Sequence, residues 1–152
     1  MQDPRYVSLL EDFCRLCNAK EKDVAAIKET GIVSLDGVAF TLVPFGEMNL
    51  ATLFIVCELG PLGGADENQT YKRMLEINFY LIYQYGPQMA ISPENGRPLL
   101  ITRVPLEDVN AKSLLEGLRG SVQLAKQWQS GKLTINSTAF RNMQAAEALG
   151  EM

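Results

Sequence analysis

The apolar positions of this chain change period several times, and each change marks a new element. Tyr6, Leu9, Leu10, Phe13, Leu16 and Cys17 recur at three- and four-residue spacing, which predicts a helix. Asp3 is placed to cap it and Pro4 to fill its first position, with the end near Asn18. The charged stretch 19–30 stays open between loop and a further helical turn or two, because Val24, Ala25 and Ile27 lie among Lys and Glu. From Ile32 the period falls to two. Residues 32–35 and 38–43 flank Asp36-Gly37, a dipeptide that supplies the positive φ angles of a tight hairpin turn. Residues 44–49 reverse the chain again, and 50–59, rich in Leu, Phe, Ile and Val, reads as a buried strand after that hairpin. Residues 60–64, Gly-Pro-Leu-Gly-Gly, break the chain into a loop.

A second helix begins near Asp66 to Asn68. At 100° per residue, Tyr71, Met74, Leu75, Asn78, Leu81, Ile82 and Tyr85 share one broad face suited to a sheet. The reverse side carries Phe79, Tyr80 and Tyr83 among Lys72, Arg73 and Glu76. Three aromatics there form a patch of the kind that a second protein surface covers. A second hairpin follows, with Met89-Ala90-Ile91, a turn over 92–96, and a strand over 99–104 that Pro98 can open. The third helix starts at Asn110 and places Ala111, Leu114, Leu115, Leu118, Val122 and Ala125 on one side, with Trp128 at the far end. Beyond Gly131 come a short apolar piece, Leu133 to Ile135, and a candidate helix over 139–149. The order helix, three strands, helix, two strands, helix predicts an α+β fold with helices packed on an antiparallel sheet. It is read as one domain over 1–130 followed by a C-terminal tail, 131–152, partly helical.

Composition narrows the function. The chain has 152 residues, 47% hydrophobic and 21% charged, enough for one real core. A net charge of −4 with 14 scattered basic residues argues against nucleic acid, since phosphate neutralisation needs clustered Lys and Arg. No apolar stretch reaches the roughly 18 residues of a membrane span, and the first residues do not form a leader, so a cytoplasmic protein without membrane insertion is expected. His is absent, which removes the commonest general base and the centre of ordinary Ser and Cys triads. Glu47, Glu58, Asp66, Glu67, Glu107 and Asp108 fall in turns or at element ends, where capping and solvated carboxylates are expected. Cys14-x-x-Cys17 has the spacing of a redox pair or half a zinc site. It lies deep in a helix, where the dipole disfavours a thiolate, and Cys57 is the only other thiol. These are read as packed thiols. The glycines of 60–64 lack the Gly-Lys-Ser/Thr ending of a phosphate loop. The expectation is a binding protein, not an enzyme, with no catalytic residue, metal or cofactor.

Three passages resemble one family. Met74-Leu75-Glu76-Ile77-Asn78-Phe79-Tyr80-Leu81 looks like the leucine-and-asparagine helix of the type III secretion chaperones of the Tir-chaperone, or CesT-like, group. Residues 86–96, Gly-Pro-Gln-Met-Ala-Ile-Ser-Pro-Glu-Asn-Gly, are similar to its following strand and turn. Residues 99–106, leading to Leu114-Leu115 and to Ala125-Lys126-Gln127-Trp128, resemble its last strand and closing helix. The likeness runs from about Pro4 to Gln129. Ser92 departs from the acidic residue common in that turn, Gly117 and Gly120 loosen the third helix, and the tail lies outside the pattern.

The resemblance implies a bacterial, ATP-independent homodimer that holds the N-terminal segment of a secreted effector in extended form. It further implies a dimer interface at Phe79, Tyr80, Tyr83, Met89 and Ile91. Effector is then expected across apolar residues of the first helix and the strands, namely Leu10, Phe13, Leu16, Val33, Leu35, Phe40, Leu42 and Phe54. Two other readings stay open: a YbjN-like or other regulatory adaptor with a folded partner, and a small enzyme or ligand sensor.

Overall fold

The structure is a computed structural model that describes residues 2–46, 50–82 and 86–132. Helix α1 spans Pro4–Leu16 and α2 spans Glu21–Thr30; strands β1 (Ile32–Leu35), β2 (Val38–Phe45) and β3 (Thr52–Glu58) follow. Then come α3 (Glu67–Leu81), β4 (Gln88–Ile91), β5 (Pro98–Pro105), a 3-10 turn over Leu106–Asp108, and α4 (Ala111–Gln129). The five strands form one antiparallel sheet in the order β1-β2-β3-β5-β4. The expected α+β layout is found, with α2 resolving the open segment before the first strand.

Local chemistry explains the element ends. The Asp3 carboxylate accepts from the Arg5 backbone N–H at 2.8 Å and caps α1, with Pro4 at its first position. That carboxyl is held below its usual range by the Arg5 side chain and the same backbone bond. Asp66 with Gln69, and Asn110 with Ser113, form reciprocal capping boxes that start α3 and α4. Asp36 and Gly37 have φ of 50° and 82°, as a tight hairpin requires. Helix α2 buries none of its residues fully, and the Lys28 to Glu11 ion pair at 2.8 Å fastens it to α1. It ends at Gly31 in the left-handed region, where a Cβ would lie 2.6 Å from the Leu42 carbonyl oxygen.

The core lies on one face of the sheet. Val33, Val38, Phe40, Leu42, Leu53, Ile55, Cys57, Met89 and Leu100 point inward with period two. Against them pack Tyr6, Leu9, Leu10 and Phe13 of α1, Met74, Ile77 and Leu81 of α3, and Leu114, Leu118, Val122, Ala125 and Trp128 of α4. The one-sided stripe expected of α4 is therefore the one that is buried. Trp128 closes it as expected, with its indole N–H donating to the Gly60 carbonyl at 2.8 Å.

Helix α3 differs from the wheel. Its buried stripe is Thr70, Met74, Ile77 and Leu81, rotated by roughly a quarter turn from the expected face at 100° per residue. Leu75 and Ile82, expected against the sheet, are exposed. Tyr85 lies outside the described residues. The reason is that α3 runs along the outer edge of β4. There the Asn78 carboxamide brackets Met89, donating to its carbonyl at 2.9 Å and accepting from its N–H at 2.7 Å. Both Met89 backbone groups point away from β5, so Asn78 stands in for a sixth strand at that edge. Substituting Asn78 by Ala leaves two half-buried backbone groups unmatched and should cost about 1–3 kcal/mol, read from urea unfolding.

Candidate functional site

The sheet has two further exits for chemistry, its β1 edge and its uncovered face. At the β1 edge the bonding alternates. Leu42 donates to the Gly31 carbonyl at 2.8 Å, so Gly31, Val33 and Leu35 face β2 while Ile32 and Ser34 direct their backbone groups outward. Ile32 N–H is met by the Thr30 hydroxyl at 3.1 Å. Ser34 presents both N–H and C=O to the edge. Beside it lies a groove of about 460 Å³ formed by α1, α2 and β1, lined by Phe13, Cys14, Cys17, Ala26, Ile27 and Leu35 among others. Asp23 is the one charged residue of that lining. Among the described residues no strand pairs with this edge, and a strand edge next to an apolar groove can accept an extended chain through backbone hydrogen bonds, with alternate side chains entering the groove.

The sheet face opposite the core carries Ile32, Ala39, Thr41, Val43, Phe45, Phe54, Val56, Leu99 and Ile101, and none of these is buried. Val43 pairs with Phe54 across β2 and β3, and Phe45 meets Phe54 edge to face with ring centroids 6.3 Å apart. Phe45 is 71% exposed, and Leu50 beside the strand end is exposed as well. A third apolar surface is the outward stripe of α3, where Leu75, Phe79 and Ile82 are 71%, 60% and 62% exposed. Spacing of four and three residues puts them in one row.

The effector residues expected from sequence divide by their place in this fold. Phe13, Val33 and Leu35 line the groove. Leu16 is exposed and Phe54 is half-buried on the open sheet face. Leu10, Phe40 and Leu42 are enclosed in the core between sheet and helices, Phe40 and Leu42 because their strand parity turns them inward and Leu10 because it lies on the buried stripe of α1. Of the expected interface residues, Phe79 is exposed, and Tyr80 is half-buried and meets Phe79 edge to face at 5.3 Å. Tyr83 lies outside the described residues. Met89 takes a core position opposite Leu100, and Ile91 is half-buried against the same core. Sequence reasoning did not single out the exposed Ile32, Ser34, Val43 and Phe45, and it set the exposed Leu75 and Ile82 against the sheet. The run Leu42-Val43-Pro44-Phe45 does carry a signal, since apolar residues on both parities show that the second face is apolar too.

The thiols have little chemistry. Burial pushes Cys57 up to about 12, with Glu58 adding to the shift. Cys14 is raised by burial and by Cys17; Cys17 is raised by burial, opposed by Arg119. Cys14 and Cys57 are buried as expected, whereas Cys17, at the C-terminal cap of α1, is exposed. Alkylation of the native protein should therefore modify one thiol per chain, and three only after denaturation. Among the described residues no cluster of three or more His, Cys, Asp or Glu could hold a metal, and no helix is long and apolar enough to cross a membrane.

Comparison with known proteins fits this architecture. The Yersinia pestis type III secretion chaperone SycH, solved with a stable fragment of YscM2, is 21% identical with a TM-score of 0.58 over 81% of this chain and 98% of that one. The ExsC-ExsE complex gives 15% identity and a TM-score of 0.60, covering 82% and 91%. The ExoT-SpcS complex from Pseudomonas aeruginosa gives 16% and 0.53, covering 84% and 99%. No curated protein matches the sequence. The profile of the Tir chaperone protein family matches residues 8–129. The chain belongs to the Tir chaperone protein (CesT) family.

Proposed function

We propose that this protein is a cytoplasmic, ATP-independent chaperone of bacterial type III secretion, without enzymatic activity or cofactor. It binds the N-terminal segment of a secreted effector in extended form and keeps it soluble and competent for export. The observation that carries this reading is the continuity of the open β1 edge, the apolar groove beside it and the uncovered apolar sheet face. A disordered segment loses chain entropy on binding and needs a large apolar surface to offset it. Family membership and the likeness to chaperones solved with their partners support the same reading. The domain is taken to run from residue 1 to about 130, with 131–152 as a separate tail.

Homodimerisation belongs to the proposal. The Leu75, Phe79 and Ile82 stripe is self-complementary in kind, and pairing two copies about a two-fold axis would double the cargo surface.

The test substitutes exposed residues only. Val43→Asp with Phe45→Asp should abolish effector binding while shifting stability by about 0.5 kcal/mol or less per site, because neither side chain is buried. Ser34→Pro removes one outward N–H, which an edge strand tolerates, and should weaken binding roughly tenfold. Co-purification and thermal unfolding read both effects. Unchanged binding in all these variants would contradict the placement of cargo.

A further inference from the structure

The open sheet face carries a cation at the end of its apolar patch. Phe54 of β3 stands opposite Val43 of β2 on one side and opposite Arg103 of β5 on the other, so the three form a cross-strand row that ends in a guanidinium. The rows flanking it, which start from Phe45 and from Thr41 on β2, carry no charged residue. Arg103 is exposed, and among the described residues it takes part in no ion pair. Glu58, the other charged side chain that the strands set on this face, is already matched, with Arg97 meeting its carboxylate at 3.4 Å. Glu58 stands opposite Leu99, about 13 Å along β5 from Arg103 at 3.3 Å per residue.

Neighbouring strands lie about 4.8 Å apart, so a segment that covers Val43 and Phe54 also lies within a side chain's length of Arg103. Excluding water there strips the guanidinium of its hydration, which costs affinity unless a carboxylate takes the place of the water. The planar guanidinium accommodates a carboxylate through two parallel hydrogen bonds, a geometry that a lysine ammonium does not reproduce. Such a pair contributes little when fully exposed, and the apolar cover over Phe54 is what makes it count.

We propose that Arg103 is a specificity-determining residue of the cargo surface. It selects a segment that sets an Asp or Glu at the end of the Val43, Phe54 and Arg103 row, with apolar side chains over Val43 and Phe54. The proposal rests on the reading of the open face as a cargo surface and adds the chemistry of the occupant. A segment of equal hydrophobicity that lacks the carboxylate leaves a desolvated cation unmatched and is rejected, which fixes the register of the bound chain as well as its identity.

The probe is the effector segment recovered with this protein from a secreting bacterium, prepared as a fluorescein-labelled synthetic peptide. Companion peptides replace each Asp or Glu in turn by Asn or Gln, and fluorescence anisotropy reads binding. Arg103→Gln should weaken the parent peptide about thirtyfold, and Arg103→Lys should weaken it less. One amide-bearing peptide should bind the native protein equally weakly and lose nothing further with Arg103→Gln. Arg103→Glu should be restored toward native affinity by Lys at that same peptide position. All three variants should keep native thermal unfolding, because the side chain is exposed. Affinity within about threefold of native for both Arg103→Gln and Arg103→Glu, where Val43→Asp with Phe45→Asp abolishes binding, would overturn the proposal and leave the face as the cargo surface. Losses that simply add between Arg103→Gln and every amide peptide would overturn it too. Unchanged binding in all these variants would overturn both the proposal and the placement of cargo on this face.

Discussion

Trp128→Ala should lower the unfolding free energy by about 3–5 kcal/mol, the largest single-site loss in this protein. The side chain is 0% exposed, and truncation opens a large cavity between α4 and the sheet. The loss extends beyond volume, because the indole N–H is the donor to the Gly60 carbonyl. The loop that Gly60 begins also depends on this corner: Gly63 donates to the Trp128 carbonyl, and a Cβ on Gly63 would lie 2.2 Å from the Gln129 carbonyl oxygen. Trp128→Phe should recover part of the packing and leave the Gly60 carbonyl without its donor, placing it between wild type and Ala. Urea denaturation followed by circular dichroism orders the three proteins. A loss below about 1 kcal/mol for the alanine variant would mean that the end of α4 does not hold the fold together.

The second large effect concerns association. Leu75→Asp together with Phe79→Asp should convert the proposed dimer to a monomer, raising the dissociation constant by about a thousandfold or more, since anchors buried in an interface contribute about 2 kcal/mol or more each. Both side chains are mostly exposed on the protomer, so its thermal unfolding cooperativity should persist. Light scattering across a dilution series distinguishes the species. A doubly substituted protein that still has twice the chain mass would remove α3 from the interface.

Much of the fold was legible because local chemistry and period agree. Asp3-Pro4, Asp36-Gly37, the 60–64 loop and Asn110 mark boundaries through caps and turns that act over a few residues. Helix α2 was not legible, since it has no buried stripe and depends on the Glu11 to Lys28 pair and on Gly31, both tertiary or terminal devices. The rotation of α3 escaped a wheel for a related reason. Apolar residues surround that helix, and the choice of inward face is made by Asn78 meeting Met89 eleven residues away.

The binding surfaces were only half legible. A period of two identifies which residues share a face of β2, but not which face the helices cover. Phe40 and Leu42 therefore looked like contacts, while Val43 and Phe45 hold the open positions. Phe13, Val33 and Leu35 do line the groove, yet the groove exists because α2 folds over β1, which no short-range pattern encodes. The absent His and scattered carboxylates turned the reading toward binding, and the sheet does carry exposed apolar side chains such as Val43 and Phe45.

The central claim is that the partner is held as an extended segment, and limited proteolysis of the complex tests it most directly. The effector recovered with this protein from a secreting bacterium is digested while bound, and the protected part is identified by mass spectrometry. The account predicts a protected N-terminal segment of several tens of residues that has no fold of its own when released, and that is lost with the Val43→Asp, Phe45→Asp protein. Protection of an intact, independently folded domain would contradict it and assign the chain to the regulatory adaptors.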